Sequence, residues 1–451
     1  MKRSCTIFLE KWLKSSDRKP LVIRGARQVG KTWIVRNLAE INKKKLIEIN
    51  LEKKPEAITL FESNNPEQIL VNLSASFGKI DKKNAILFLD EIQAAPELLS
   101  KLRWFAEDMP ELPVIAAGSL LEFVLADHLF SMPVGRINYL YLEPMSFMEF
   151  LEAKDKNRLV DYIEKFSLYI SIPIAIHNEL MNLFKEYIII GGMPQAVKSW
   201  ISNNSLEDVS QIHNDILATY RDDFNKYNGR LSVDRINETM VSVPFFLGQK
   251  FMYSKVNPDV QTNSIKQALD LLSKARICHK VYGSAGNGVP LGAEIQEKYL
   301  KVIFLDVGLC SAQLGLSLDK LIGVSDLDLV NKGGISEQVA GQLLRTIFPF
   351  YLDPVLFYWH RSEKSSNAEI DYLMQYKGRV LPIEIKSGSS GGLKSLHLFM
   401  KLKKLDLAAR INSDLPSKVD IEVKDYEGDV IKYKLISIPY YLISRLHNVL
   451  D

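Results

Sequence analysis

The hydrophobic pattern changes character along the chain. Up to about residue 145, short apolar runs alternate with stretches of helical character. Residues 1–20 read as an amphipathic helix ending at the turn formers Ser15-Ser16-Asp17, and Leu21-Val22-Ile23-Arg24 is apolar enough for a buried strand, with a helix over Trp33 to Glu40 behind it. Lys45 to Leu51 alternates as a second strand does, followed by a helical stretch at Pro66 to Phe77. Asn84 to Glu91, Pro113 to Ser119 and Arg136 to Leu142 read as three more strands, with a helix over Pro96 to Asp108 between the first two. Strands alternating with helices predict a five-stranded parallel sheet complete by Pro144.

From Ser146 to about Asn225 the pattern is helical, broken at Gly191-Gly192-Met193-Pro194, and it suits a helical lid over the preceding sheet. Leu231 to about Leu316 then shows helices at Val233 to Phe246 and Ser264 to Lys274. A hairpin-like pair follows, Ile277 to Gly283 and Leu300 to Asp306, joined by a Gly-rich loop. Helical elements followed by a two-stranded wing describe a winged helix. Its expected recognition helix is only mildly basic, so DNA and protein remain equal candidates for its partner. After a polar joint at Ser325 to Gly334, a helix at Ile335 to Ile347 precedes strands at Phe357 to His360, Ala368 to Met374 and Val380 to Lys386. The expected division is 1–145 for the sheet domain, 146–228 for the lid, 229–325 for the winged helix and 326–451 for a last α/β domain.

Composition narrows this little. The 451 residues are 47% hydrophobic and 25% charged, as in ordinary globular chains, and too many for a single core. Fifty-seven basic against 54 acidic residues leave a net charge of +3, so any nucleic-acid surface must be a local patch. Cys5, Cys278 and Cys310 follow no metal-ligand spacing and suit small core residues in a reducing compartment. The N-terminus has no apolar run of signal-peptide length, and no run reaches a membrane span, so a cytoplasmic location without membrane partners is expected.

The chemistry concentrates after the first strand, at Gly25-Ala26-Arg27-Gln28-Val29-Gly30-Lys31-Thr32-Trp33. Strand, glycine-bounded loop and helix, in that order, form a P-loop. Its backbone N–H groups converge on a polyphosphate, the helix N-terminus adds partial positive charge, Lys31 reaches the β and γ phosphates of ATP, and Thr32 offers a hydroxyl to Mg²⁺. Asp90 and Glu91 end the third strand as the expected counterpart: Asp90 holds the metal's water shell and Glu91 polarises the attacking water. Ser119, ending the next strand, suits either a reader of the γ phosphate or a helix N-cap. Arg136 suits either a stabiliser of charge on the transferring phosphoryl group, within its own subunit or a neighbour's, or a surface arginine.

A second candidate site lies near the C-terminus. Strand alternation puts Glu384 and Lys386 on one face, and Asp371 meets them across a turn at Tyr376-Lys377-Gly378-Arg379, with Glu337 on the helix before. Two carboxylates with a nearby lysine can hold a metal and a water beside a phosphodiester; alternating Glu and Lys also occurs on a plain solvated strand face.

The P-loop, Leu87-Phe88-Leu89-Asp90-Glu91-Ile92-Gln93, Ala117-Gly118-Ser119, Gly135-Arg136, Glu143-Pro144-Met145-Ser146-Phe147 and Gly191-Gly192-Met193-Pro194 resemble a group of bacterial and archaeal AAA-type ATPases with a C-terminal domain of unknown function. Phe304-Leu305-Asp306-Val307-Gly308-Leu309, Glu369-Ile370-Asp371 and Ile383-Glu384-Ile385-Lys386 extend the resemblance. It implies an α/β P-loop NTPase fold, then a winged helix and a restriction-endonuclease-like α/β domain. The expected function is an ATP-hydrolysing switch or motor acting on DNA or a protein partner. Alternatives are an ATP-gated, metal-dependent nuclease and a nucleotide-bound interaction module without turnover; self-association stays open.

Overall fold

The computed structural model describes all residues except 120, 122–132, 134, 225–231, 317–333, 364–365, 388–391, 426–427 and 451, and it leaves the side chains of 362, 363 and 366 undescribed. The chain forms two compact units. One comprises Met1–Pro144 with the short segments Lys274–Ile277 and Phe348–Asp353; the other comprises Met145–Ser273, Cys278–Ile347 and Pro354–Asp451.

In the first unit β1 (Leu21–Arg24), β2 (Lys45–Asn50), β3 (Ala85–Asp90), β4 (Val114–Gly118) and β5 (Asn138–Tyr141) lie in the order β2-β3-β4-β1-β5. Every pairing is parallel. The expected sheet is therefore present, although β5 begins at Asn138 and leaves Arg136 in the turn before it. β3 and β4 are buried along their whole length, which is why they read as unbroken apolar runs. Ile47, Leu87, Leu89 and Ala116 join Leu73 and Phe105 from the helices Pro66–Phe77 and Leu98–Asp108 in one core. Each such large side chain contributes about 1.5–3 kcal/mol on leaving water. That core fixes the C-terminal ends of β1, β3 and β4 at one edge of the sheet.

The second unit opens with helices Phe147–Ala153, Asn157–Glu164, Ile174–Ile190, Pro194–Asn203 and Leu206–Phe224. Ser146 caps the first of them in a reciprocal box with Glu149, its side chain accepting from the Glu149 N–H at 3.3 Å. At the glycine break the Asp306 carboxylate accepts the Gly192 N–H at 2.6 Å and the Gly308 N–H at 3.0 Å, which ties Gly191-Gly192 to Asp306-Val307-Gly308. Helices Val233–Ser242, Tyr253–Val256 and Thr262–Lys274 follow.

Eight strands make the second sheet: β6 (Cys278–Ser284), β7 (Ile295–Phe304), β8 (Leu356–Glu363), β9 (Ser366–Tyr376), β10 (Arg379–Ile385), β11 (Leu407–Asn412), β12 (Ser417–Lys424) and β13 (Val430–Pro439). Their order is β12-β13-β11-β10-β9-β8-β6-β7. β6 and β7, read from sequence as a wing, form an antiparallel pair, but β6 also pairs in parallel with β8. The pair thus forms one edge of the C-terminal sheet. The expected divisions at 228/229 and 325/326, and the polar joint up to residue 333, lie outside the described residues. β9 and β10 meet through Lys377 and Gly378, both at positive φ (46° and 74°), the backbone of a tight hairpin turn. The helix Lys394–Lys403 then carries the chain across to β11, parallel to β10. All three cysteines are buried, and none forms a disulfide. Among the described residues no helix is long and apolar enough to cross a membrane.

Candidate nucleotide-binding site

Gly25 to Gly30 leave β1 in a closed loop, and the helix Lys31–Ile41 starts at its end. Gly30 caps that helix at φ 99°, a conformation that a side chain disfavours. Gly25 is required for a different reason: a Cβ there would lie 2.5 Å from the Leu142 carbonyl oxygen. Inside the loop the buried Lys31 ammonium donates to the carbonyls of Gly25 (3.0 Å) and Ala26 (2.8 Å). Burial lowers the Lys31 pKa to about 8; Glu91 and Asp90 oppose that shift, and Arg27 adds to it. Thr32 Oγ1 donates to Asp90 Oδ2 at 3.0 Å, joining the loop to the end of β3. Burial first, then Glu91, raises the Asp90 carboxyl, and the Thr32 hydrogen bond opposes this.

Glu91 adopts left-handed backbone (φ 52°), which turns it out of the strand direction, and its carboxylate accepts from Gln93 Nε2 at 2.6 Å. Ser119 follows Gly118, which pairs with Arg24 of β1, while Asp90 pairs with Ala117. The register therefore puts Ser119 at the same edge as the P-loop and Asp90. Ser119 is 4% exposed, and its hydroxyl has no hydrogen-bond partner among the described residues. An unmet buried hydroxyl costs about 1–3 kcal/mol, a cost that any hydrogen-bonding ligand atom reaching it would offset. The residues fit a nucleotide with Mg²⁺: a glycine-bounded loop, a buried ammonium, a hydroxyl–carboxylate pair and an unmet hydroxyl share one sheet edge.

Arg136 stands apart from this group. Its Nε donates to Glu107 at 2.6 Å and its side chain is 49% exposed. Trp33, on the first turn of the P-loop helix, is also exposed. Two arginines that sequence reading missed support the loop. Arg3 donates to the Val29 carbonyl (2.8 Å) and the Glu143 carbonyl (2.6 Å). Arg276, buried, binds Glu143 Oε1 (3.1 Å) and Asp353 (2.8 and 3.2 Å). Burial alone would lower its pKa, but Glu143 and Asp353 hold it above the ordinary value. Neither arginine carried a local signal, because their partners lie 26 to 140 residues away.

In the second unit the structure gathers Glu337, Asp371, Glu384 and Lys386. Asp371 Oδ2 accepts the Ile385 N–H at 2.7 Å, and Glu384 Oε1 accepts from Lys386 Nζ at 2.7 Å. Two further side chains enter the group. Lys301 from β7 binds Glu337 Oε2 at 2.8 Å, pairs with Glu369 and lies 3.8 Å from Asp371 Oδ1. Burial alone would lower the Lys301 ammonium, but these three acids raise it well above its ordinary value. Asp371 is raised well above the usual carboxylate range, by burial first and then by Glu337 and Glu384. A lysine on an alternating strand reads as solvent-facing, so nothing local marked Lys301.

Comparison with known proteins places a family at the first of these sites. Residues 17–151 match an AAA domain. The N-terminal region is an AAA-type, nucleotide-binding P-loop domain. Residues 181–320 match a domain of unknown function (DUF8612), and residues 332–435 match another (DUF4143). No curated protein matches the chain in sequence. Among solved structures the chain is similar to the Walker-type ATPase PABY2304 of Pyrococcus abyssi, at 15% identity over 69% of this chain and 95% of that one, with a TM-score of 0.43. It is also similar to the Holliday junction branch migration motor RuvB of Thermotoga maritima, at 15% identity over 62% of this chain and 89% of that one (TM-score 0.29). The ORC2 protein of Aeropyrum pernix is similar at 12% identity over 61% and 84%, also with a TM-score of 0.29.

Proposed function

We propose that the chain is an ATP-hydrolysing switch or motor that acts on DNA or on a protein partner. The observation that carries this reading is the hydrogen bond from Thr32 Oγ1 to Asp90 Oδ2 at 3.0 Å, with the Lys31 ammonium one residue away inside the loop. It sets a metal-binding hydroxyl and carboxylate beside a phosphate-binding cation. Lys31 exchanges its two loop carbonyls for β and γ phosphate oxygens, and the loop N–H groups and the helix N-terminus orient the chain of phosphates. Thr32 and Asp90 hold Mg²⁺, which supplies charge neutralisation at the phosphates when bound. Glu91 positions and polarises the attacking water, and Gln93 fixes the Glu91 carboxylate.

Ser119 donates its unmet hydroxyl to the γ phosphate and so senses whether that group is present. Arg136, exposed and paired only with surface Glu107 among the interactions described, is available to the nucleotide of a neighbouring subunit if the chain self-associates. The helices between Val233 and Lys274 and the β6–β7 pair serve as a winged helix that contacts the partner, and the C-terminal sheet provides a restriction-endonuclease-like scaffold. Phosphate release by wild type and by Glu91→Gln tests the proposal. Steady release by the wild type and its loss in the variant are expected. Equal rates would remove Glu91 from its role, and no release under any condition would leave a binding module without turnover.

A further inference from the structure

The acidic group of the second unit has the residue types of a metal-dependent phosphodiesterase, but its middle is taken. Lys301 is 3% exposed, and its ammonium reaches Glu337, Glu369 and Asp371 as set out above. It also faces the ring of Tyr358, 5.3 Å from the centroid. Glu337 and Glu369 are within hydrogen-bond reach of this ammonium, and Asp371 Oδ1 at 3.8 Å adds a third acid to its ion-pair shell, so three carboxylates neutralise the one cation. The remaining carboxylate oxygens are mostly engaged. Asp371 Oδ2 accepts the Ile385 N–H, and Glu384 Oε1 accepts from Lys386. Gly248 packs so closely on Glu337 that a Cβ there would lie 2.9 Å from Oε1. Glu384 Oε2 alone among these is buried without a partner, on a residue 5% exposed.

The geometry points to Lys301 as the resident cation of this cluster, standing where a divalent metal would otherwise be held, so that the second site binds no divalent metal while the ammonium is in place. Mg²⁺ needs oxygens at about 2.0–2.1 Å in near-octahedral array, drawn from the same Glu337 and Asp371 carboxylates that already surround Lys301. Metal and ammonium are therefore mutually exclusive occupants. Neutralisation by a covalently attached lysine is permanent, whereas a metal would come and go with its concentration. The cluster then acts as a fixed joint that fastens β7 to β9 and to the helix Gly334–Thr346. It does not act as a centre for phosphodiester cleavage. This inference is independent of whether the P-loop hydrolyses ATP.

Mn²⁺ binding to the full chain without nucleotide, read by electron paramagnetic resonance of the free ion, tests it in wild type, Glu384→Ala, Lys301→Met and the doubly substituted Lys301→Met/Glu384→Ala. Equal binding by wild type and Glu384→Ala is expected, since the second site contributes nothing. Lys301→Met should gain about one Mn²⁺ per chain, lost again when Glu384→Ala is added. Wild-type Mn²⁺ binding that Glu384→Ala removes would overturn the inference, as would a folded Lys301→Met chain that gains no site. If Lys301→Met does not fold, wild type against Glu384→Ala decides alone.

Discussion

Both units bury a lysine among carboxylates, and the two lysines are bound differently. Lys31 donates to two backbone carbonyls of its own loop, and its nearby carboxylates belong to Asp90, already bonded to Thr32, and Glu91, already bonded to Gln93. Its charge is incompletely matched, and burial pulls its pKa down to about 8. Lys301 is ringed by three acids that raise its pKa. A buried cation satisfied by neutral dipoles stays receptive to an anion, and one neutralised by carboxylates is a structural part. Burial and residue type are alike in the two cases, and the identity of the nearest oxygens separates them.

Substitutions should break the comparison in opposite directions. Lys31→Ala removes the receptive cation, and ATP turnover measured by phosphate release should fall about 100- to 1,000-fold with the melting temperature little changed. Glu91→Gln should lower turnover about 100-fold while ATP still binds, which filter retention of labelled nucleotide would show. Lys301→Met should spare turnover and destabilise the fold by about 3–5 kcal/mol in urea denaturation, because it strands buried carboxylates.

Acid sharpens the contrast by a smaller effect. His177, His213 and His397 of the second unit are all held below their ordinary 6.5 by burial. Below 6.5 the unfolded chain takes up protons that the folded chain resists. Their contribution to stability is therefore intact above pH 6.5 and is lost progressively as pH falls from that value towards and through their lower folded values. Replacing the three histidines by glutamine should flatten that part of the fall in stability, read by urea denaturation between pH 7 and 5. Arg136→Ala should be the mildest change, within about 1 kcal/mol in thermal denaturation, since the Glu107 pair is exposed.

Much of the first unit was legible because its signals are local. Ile86 to Leu89 form a run too apolar for anything but an interior strand, and Gly25 to Thr32 carry their spacing within eight positions. Asp90 and Thr32 were legible as partners because a P-loop needs a carboxylate at the end of a buried strand, and they meet across 58 residues. Arg136 was read as the start of β5 and lies in the turn before it, since strand ends carry the weakest patterns. In the second unit the alternation that set Glu384 and Lys386 on one face was sound, and they bond to each other. The same alternation hid Lys301, which belongs to a hairpin read as a separate wing. Only the parallel pairing of β6 with β8 brings that hairpin into the C-terminal sheet, and pairing partners are not written in local sequence.

Titration calorimetry with Mg²⁺ and a slowly hydrolysed ATP analogue tests the central claim most directly. Wild type should release or absorb heat with one nucleotide bound per chain, and Lys31→Ala should give none. Absence of binding heat from the wild type, or an unchanged isotherm in Lys31→Ala, would contradict the account of the glycine-bounded loop as the holder of a nucleotide's phosphates.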